Sequence, residues 1–474
     1  MKKLLPLLLA GTSVNVLAGS NESTTMVANI NAKYIASDNY LQNPYRTLTS
    51  RGGTQSISES QMIGQNFAER VFADGTWNVM VGAATQYTGT GAGYPNYAYG
   101  ANLFGQTGSV AGFSVGGLVT VINPFFDAQM NGFNAQASPF LPSNEQVTLS
   151  QAYLEYRFSN IVQADFGYIA INNSPWLSGN YYNNVMSPGA TYQGVLVNIY
   201  PGSGWLLTAL AFNAAQAVSE TGFTPLTFYN KGYDYAGGLI ANNNPSGTSS
   251  GTTAFGASYA GWNNQYNLRL WGYQFDNYGT LLYADNSIKL QLTNTLSFNI
   301  AVQAGTDNQQ GNASNAMTNG GFGQISSNFA GLQGTFNYSW FSLNVAYNNV
   351  WGPDSAYGNG AIVSPYTYGF ATDPLYTTPY MAGLADLGTA GNAYRVSPTF
   401  NLLNGNLSIA PAYTIFNTAV SQWNGTQEYD FVASYNIPQI KGLTLFGVYA
   451  YQQIPDTNTN GSVYVTQLYV SYLY

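Results

Sequence analysis

Along most of the chain, apolar or aromatic residues alternate with Asn, Gln, Ser and Thr. That is the period of β-strands with one face turned to an apolar medium. Ser462 to Tyr474, reading SVYVTQLYVSYLY, is the clearest stretch, with Tyr464, Thr466, Leu468, Val470, Tyr472 and Tyr474 on one face. A strand that ends on an aromatic suits a membrane barrel, whose last strand must pair with its first to leave no open edge. The same strand also suits a soluble sandwich. Met26 to Ala36 alternates in the same way, with Met26, Ala28, Ile30, Ala32 and Tyr34 opposite Asn29, Asn31 and Lys33. It is the expected first strand and partner of the last.

Turn signals divide what lies between. Asp74-Gly75 separates the alternating runs Gln61–Ala73 and Thr76–Gln86, a strong hairpin signature. Further tight turns are read at Gln106-Thr107-Gly108, Ser159-Asn160, Pro201 to Gly204, Trp262 to Asn264, Thr293 to Thr295, Asn404-Gly405 and Pro438 to Gly442. Long connections rich in Gly, Asn, Ser and Pro fall between them: Thr88–Ala98, Asn123–Gln146, Asn172–Gly189, Gln216–Gly251, Gly305–Ser326 and Gly352–Gly391. Short turns alternating with long loops predict a transmembrane antiparallel β-barrel, all-β, with short periplasmic turns and long external loops. Counting hairpins and end strands approaches twenty. One domain over residues 19–474 suits about 16–18 strands, and 18 is the expected number.

Composition narrows the class. Charged residues are 7 % of the chain and aromatics 15 %, yet mean hydropathy is only -0.09. A soluble surface would carry about 25–35 % charge, whereas a barrel wall places apolar residues outward, polar residues inward and aromatics at both interfaces. A Gly- and Tyr-rich secreted β-protein or a low-complexity chain would share parts of this composition. There is no cysteine and no histidine, which removes thiolate and imidazole catalysis and the metal sites built on those ligands. No cofactor or metal is expected. Lys2 and Lys3 followed by the apolar run Leu4–Ala10 predict a signal peptide over residues 1–18, cleaved between Ala18 and Gly19. No window approaches the ~18 apolar residues of a spanning helix. Net charge is -8 with no basic stripe, so nucleic acid is not an expected partner.

The few charges mark the inward face. In Gln151 to Phe158, the residues Gln151, Tyr153, Glu155 and Arg157 lie on one side of a strand and Ala152, Leu154, Tyr156 and Phe158 on the other. By the same alternation Asp165, Arg269, Lys289, Arg395, Glu428 and Asp430 are expected to line a lumen, since a charge on the lipid face costs ~2–4 kcal/mol at mid-membrane. Asn172–Gly189 is the connection expected to fold inward as a constriction, narrowed by Trp176, Tyr181 and Tyr182 and offering Asn183 and Asn184 to solutes.

At Asp165 to Gly194, DFGYIAINNSPWLSGNYYNNVMSPGATYQG, the sequence resembles the OprD family of substrate-selective outer-membrane porins. In that family such a strand runs into a constriction loop with an Asp-x-Arg-(Leu/Met)-x-Pro motif, then Phe and Gly. Asn183, Val185, Met186, Pro188, Tyr192 and Gly194 stand in that register. Leu268–Ala284, the late loop Asp373–Gly383 (DPLYTTPYMAG) and the closing hairpin from Gln427, with Glu428 and Asp430, are similar as well. The resemblance implies a porin fold. The motif's Asp and Arg are replaced by Asn183 and Val185, and Tyr97–Gln146 looks like an insertion. The family's basic ladder is thinned to Arg157, Arg269, Lys289 and Arg395, so its preference for carboxylates does not carry over.

The expected function is passive diffusion of small hydrophilic solutes, neutral or cationic ones favoured, across the outer membrane of a Gram-negative bacterium. Outer-membrane lipid and the barrel-assembly machinery, engaged through the strand ending at Tyr474, are the expected partners. A homotrimer is one arrangement open to such a barrel. An aromatic-lined sugar channel and a surface-display barrel using Gln216–Gly251 or Gly352–Gly391 are the other readings. Catalysis by paired carboxylates, Glu428 with Asp430 or Glu155 with Asp165, would be the enzymatic one. It is the weakest, since carboxylates two apart on a strand are ordinary lumen charge.

Overall fold

The computed structural model describes residues 71–473 apart from 72–74, 90–95, 126–140, 142–144, 160, 172, 178–190, 217–220, 224–249, 264, 277–278, 311–323, 363–372, 382 and 456–461. It contains the strands β1 (Thr76–Gly89), β2 (Asn96–Gln106), β3 (Phe113–Pro124), β4 (Gln146–Phe158), β5 (Val162–Ile169), β6 (Thr191–Gly202), β7 (Trp205–Gln216), β8 (Thr252–Gly261) and β9 (Tyr266–Phe275). They continue as β10 (Gly279–Gln291), β11 (Leu296–Gln309), β12 (Ser326–Tyr338), β13 (Phe341–Trp351), β14 (Gly391–Leu402), β15 (Leu407–Thr418), β16 (Gln427–Asn436), β17 (Leu443–Gln453) and β18 (Ser462–Leu473). Each pairs antiparallel with the next. β1 pairs with both β2 and β18, running from Met80↔Leu473 to Gly89↔Tyr464, so the sheet closes into an 18-stranded barrel. Closure is what lipid demands, because an open edge would leave backbone N–H and C=O groups without partners in hydrocarbon.

The terminal strand thus closes the barrel as its pattern predicts, but on a different partner. Both edges of β18 are taken, by β17 and β1, so Met26–Ala36 is not its mate. Both edges of β1 are taken too, so Asp74-Gly75 joins no pair of wall strands. Residues 26–36 and 61–70 lie outside the described residues. Removing those two alternating runs from the count brings it from near twenty to eighteen.

The remaining seven inferred turns each fall between consecutive strands, all at one end of the barrel. An eighth lies at Ser339-Trp340 between β12 and β13, where Tyr338-Ser339-Trp340-Phe341 offers no Gly, Asn or Pro as a signal; Ser339 itself takes φ 49°. At the opposite end five connections are long, but β1 to β2 (90–95), β9 to β10 (276–278), β15 to β16 (419–426) and β17 to β18 (454–461) are short. The long connection expected over Thr88–Ala98 thus shrinks to six residues as the strands extend into it. Tyr97–Gln146 is no insertion: it supplies β2, β3 and the connection into β4.

Alternation sorts the two faces. Trp77, Val81, Leu154, Phe255, Leu332 and Val345 point outward and are exposed, while Asn78, Gln86, Glu155, Gln303, Asn344 and Thr414 point inward and are buried. At the short-turn end outward aromatics pair around the rim, as in Trp205 with Tyr259 (centroids 4.9 Å) and Trp262 with Tyr266 (5.5 Å). Tyr99 with Phe125 (4.9 Å) does the same at the other end. These are the girdles of an interface.

Register shifts interrupt the β3–β4 and β6–β7 ladders, and a gap of a different kind lies between β14 and β15. Pro398 of β14 and Pro411 of β15 stand directly opposite in the register that runs from Val396↔Tyr413 to Phe400↔Ile409, and the three intervening pairs are missing. Proline has no N–H. Two prolines at a position where each should donate to the other's carbonyl remove both bonds at once. The Ser397 hydroxyl donates to the Pro411 carbonyl (3.1 Å) in partial compensation. Restoring a donor should stabilise the wall. Pro398→Val or Pro411→Val is expected to raise the temperature at which the barrel loses its heat-modifiable gel mobility, by ~1 kcal/mol per bond regained. A midpoint that stays put or drops in both variants would contradict this account.

Candidate functional site

Every lumen candidate that lies among the described residues sits on the inward side of its strand. They form three groups. On β4 and β5, Glu155 and Asp165 are register partners. Glu155 is fully buried and accepts from Gln106 Nε2 (2.8 Å) and the Ser114 hydroxyl (3.1 Å), with Arg157 Nε at 3.1 Å. Asp165 accepts from Gln163 Nε2 (3.0 Å). Like charges placed opposite on a sheet repel, and these polar neighbours offset that.

The second group centres on Arg269 of β9. Its direct register partner on β10 is Asp285, which the alternation of β10 places inward. The guanidinium binds that carboxylate as a fork, through Nε to Oδ1 (2.9 Å) and Nη2 to Oδ2, and the Tyr283 hydroxyl adds a third donor at 3.0 Å. A bidentate pair is the geometry in which a buried arginine is best satisfied. Lys289, on the same face of β10, is exposed near the short-turn end.

The third group holds the connection from β13 to β14. Residues 373–381 and 383–390 run inside the barrel, nearly all buried. Backbone groups inside a barrel still need partners, and inward side chains supply them. With its amide oriented to satisfy its neighbours, Gln303 of β11 donates to the Pro374 carbonyl (3.2 Å) and accepts from the Tyr376 N–H (2.9 Å). Asn348 of β13 accepts from the Thr377 N–H (3.0 Å), and Arg395 of β14 donates to the Thr378 carbonyl (3.1 Å). On β16, Asp430 accepts from the Tyr380 N–H (3.1 Å) and Glu428 from the Met381 N–H, while Gln452 steadies Glu428 at 3.0 Å. Arg395 stands 4.0 Å from Asp430. The Tyr380 hydroxyl donates to Gln467 of β18. Burial, reinforced by Tyr469 and Asp430, pushes that phenol well above its ordinary range and keeps it a neutral donor. Gly383 admits no side chain: a Cβ there would lie 2.2 Å from Asp373 Oδ2 and 2.4 Å from Thr378 Oγ1.

The connection from β5 to β6 also enters. Trp176 is fully buried, edge-on to Tyr283 (6.5 Å) and Phe329 (5.9 Å) on the inner wall. Ser174 bonds the Tyr273 hydroxyl (2.9 Å), and the Tyr192 hydroxyl donates to the Leu177 carbonyl (2.8 Å). Tyr181, Tyr182, Asn183 and Asn184 lie outside the described residues. Several connections rather than one thus have side chains buried against the inner wall, and Trp176, Leu177, Leu375, Leu384 and Leu387 share one apolar cluster with Trp423 from the β15–β16 connection. The family resemblance singles out DPLYTTPYMAG as a late loop without assigning it to the lumen. The available signal is its mismatch with solvent: Leu375, Tyr376, Tyr380, Met381 and Leu384 are too apolar for an external loop.

Among the described residues no three His, Cys, Asp or Glu side chains could share a metal ion. The lumen instead offers hydrogen-bonding groups and paired charge. Because Glu428 and Asp430 hold consecutive N–H groups of one loop, Glu428→Ala with Asp430→Ala should release it, each charge-assisted bond being worth ~1.5–3 kcal/mol. Limited digestion with a broad-specificity protease is expected to cut within 373–390 in the double variant and to spare the parent. Equal protection in both would show that these carboxylates do not hold the loop.

No protein-family model matches the sequence, and no curated protein matches it. Solved structures do. The outer membrane protein OpdK from Pseudomonas aeruginosa aligns over 85 % of this chain and 99 % of its own, at 15 % identity and a TM-score of 0.66. OccK8 (OprE) of the same organism gives the same coverages, identity and TM-score. OccAB3 of Acinetobacter baumannii aligns over 85 % of this chain and all of its own, at 14 % identity and 0.65. OpdK has also been crystallised with vanillate. The 18-stranded closed barrel described above is the fold of the OprD and Occ porins.

Proposed function

We propose that the chain is an outer-membrane porin of a Gram-negative bacterium, through which small hydrophilic solutes diffuse passively, and that it favours neutral and cationic solutes over carboxylates. The observation that carries the selectivity is the charge balance of the lumen. Among the described residues, Glu155, Asp165, Asp285, Asp307, Glu428 and Asp430 point inward from the wall, and Asp373 and Asp386 are buried in the inward connection. Arg157, Arg269, Lys289 and Arg395 oppose them, and each arginine stands beside a carboxylate of the protein. Guanidinium groups already committed to protein carboxylates make a poor relay for a solute's carboxylate, and an acidic lumen attracts cations. Residues 373–390, with 173–177 packed beside them, narrow the passage in this reading. The short turns face the periplasm and the long loops the exterior, as in other outer-membrane barrels.

The carboxylate pairs fit this role better than catalysis. Glu428 and Asp430 hold loop backbone, and Glu155 is enclosed by Gln106, Ser114 and Arg157, which leaves no pair facing a substrate as a glycosidase requires. Export by residues 1–18 and insertion through the barrel-assembly machinery complete the reading.

Proteoliposome swelling tests it directly, with a neutral sugar, a basic amino acid and vanillate as probes. The sugar and the basic amino acid are expected to equal or exceed vanillate. Faster entry of vanillate would overturn the selectivity. Swelling with none of the three, from a barrel that is folded by gel shift, would overturn the porin reading and favour a surface-display barrel.

A further inference from the structure

The inner wall is not polar all the way round. From β17 through β18 and β1 to β3, the inward positions include Met80, Phe104, Leu118, Ile122, Tyr469 and Leu473, which form one apolar cluster and keep only 1–7 % of their surface exposed. The outward positions of the same strands are apolar as well, as in Val81, Leu103 and Val115. Polar residues such as Asn78, Asn102, Gln106, Thr120 and Gln467 share this inward face, so the cluster is an apolar patch set within a mixed wall. Something must cover the inner patch, since apolar side chains turned to a wet lumen forfeit their burial. Among the described residues, the cluster's member from outside the wall strands is Leu141, one side chain for a patch five strands wide.

Two further observations bear on the occupant. The Gly108 N–H in the β2–β3 turn donates to the Val71 carbonyl (2.8 Å). The chain therefore reaches β1 from the short-turn mouth, beside Phe104 at the lower edge of the patch. In addition, residues 19–70 are the length of chain that leads into β1 from that mouth. Residues 19–70 are not short of apolar side chains, with Ile30, Tyr34, Leu41, Ile57, Ile63 and Phe67 among them.

We propose that residues 19–70 dock inside the barrel on the apolar inner wall of β17, β18, β1, β2 and β3, lining that side of the lumen. This goes beyond the porin reading and stands apart from it, because it rests on the wall and the chain that precedes it. The passage is then bounded by the N-terminal segment on one side and by 373–390 with 173–177 packed beside it on another.

The absence of native cysteine makes the test clean. Ala84→Cys and Leu118→Cys each place a single thiol on the patch, and Lys289→Cys places one at an exposed inward position. A charged, membrane-impermeant maleimide is applied to the refolded full chain and to a form lacking residues 19–70. The patch thiols are expected to label at least tenfold faster in the shortened form, with Lys289→Cys unchanged. Equal labelling of the patch thiols in both forms overturns the proposal. Should the shortened form not refold, Ala84→Cys is paired in the full chain with single cysteines stepped through residues 50–66. An intramolecular disulfide at one or more positions is expected. No disulfide anywhere in the scan overturns the proposal, as does one that links two chains, which would make a second copy the occupant. None of these measurements reads conduction, so the docking of residues 19–70 stands or falls independently of the swelling assay.

Discussion

The rest of the molecule depends on the closure of β18 onto β1. Within hydrocarbon a strand edge has nothing to bond with, and each unsatisfied group costs several kcal/mol, ~2–7 by transfer. A sheet that must close makes every strand's side chains alternate between lipid and lumen, so inward polarity and outward apolarity follow from closure and not from local preference. The facing Pro398 and Pro411 are the exception that measures the rule. Two lost donors open three register positions in an otherwise continuous ladder, and a serine hydroxyl turns back to serve one of the orphaned carbonyls.

Inside the closed wall the same accounting recurs on a smaller scale. A connection that enters a barrel carries its own N–H and C=O groups away from bulk water, and residues 373–390 are tolerated there because Gln303, Asn348, Arg395, Glu428 and Asp430 meet those groups from four different strands. The charged residues of this lumen thus have a first duty to the protein. Buried charge is costly unless paired and hydrogen-bonded, and Arg269 with Asp285 on neighbouring strands satisfies that condition through register alone. Arg157 and Arg395 likewise stand beside carboxylates of the protein.

Much of this is legible in the sequence, and the parts that are not have physical causes. Alternation and the cost of charge in lipid place Glu155, Arg157, Asp165, Arg269, Arg395, Glu428 and Asp430 inward, and all lie inward. Asp285 obeys the same rule, although the sequence reading does not single it out. Met26–Ala36 alternates as well as any wall strand, yet pairing with β18 belongs to β1. Period reports a two-faced segment and says nothing about which partner it meets. The turn at Ser339-Trp340 carries no turn residues, because the flanking register and the aromatic rim hold it.

Alternation and composition by themselves determined the class, an antiparallel barrel with eighteen strands as the expected count, because both reflect the solvents on the two sides of one wall. Tertiary structure decided what the lumen contains. Which connections fold inward, which carboxylate meets which N–H, and where the inner wall turns apolar all depend on contacts between residues far apart in the chain, such as Tyr380 with Gln467, 87 positions on, and Ser174 with Tyr273, 99 positions on. A pattern of period two cannot encode them: it fixes the side of the wall on which a residue lies, and the partner across the lumen is set by closure.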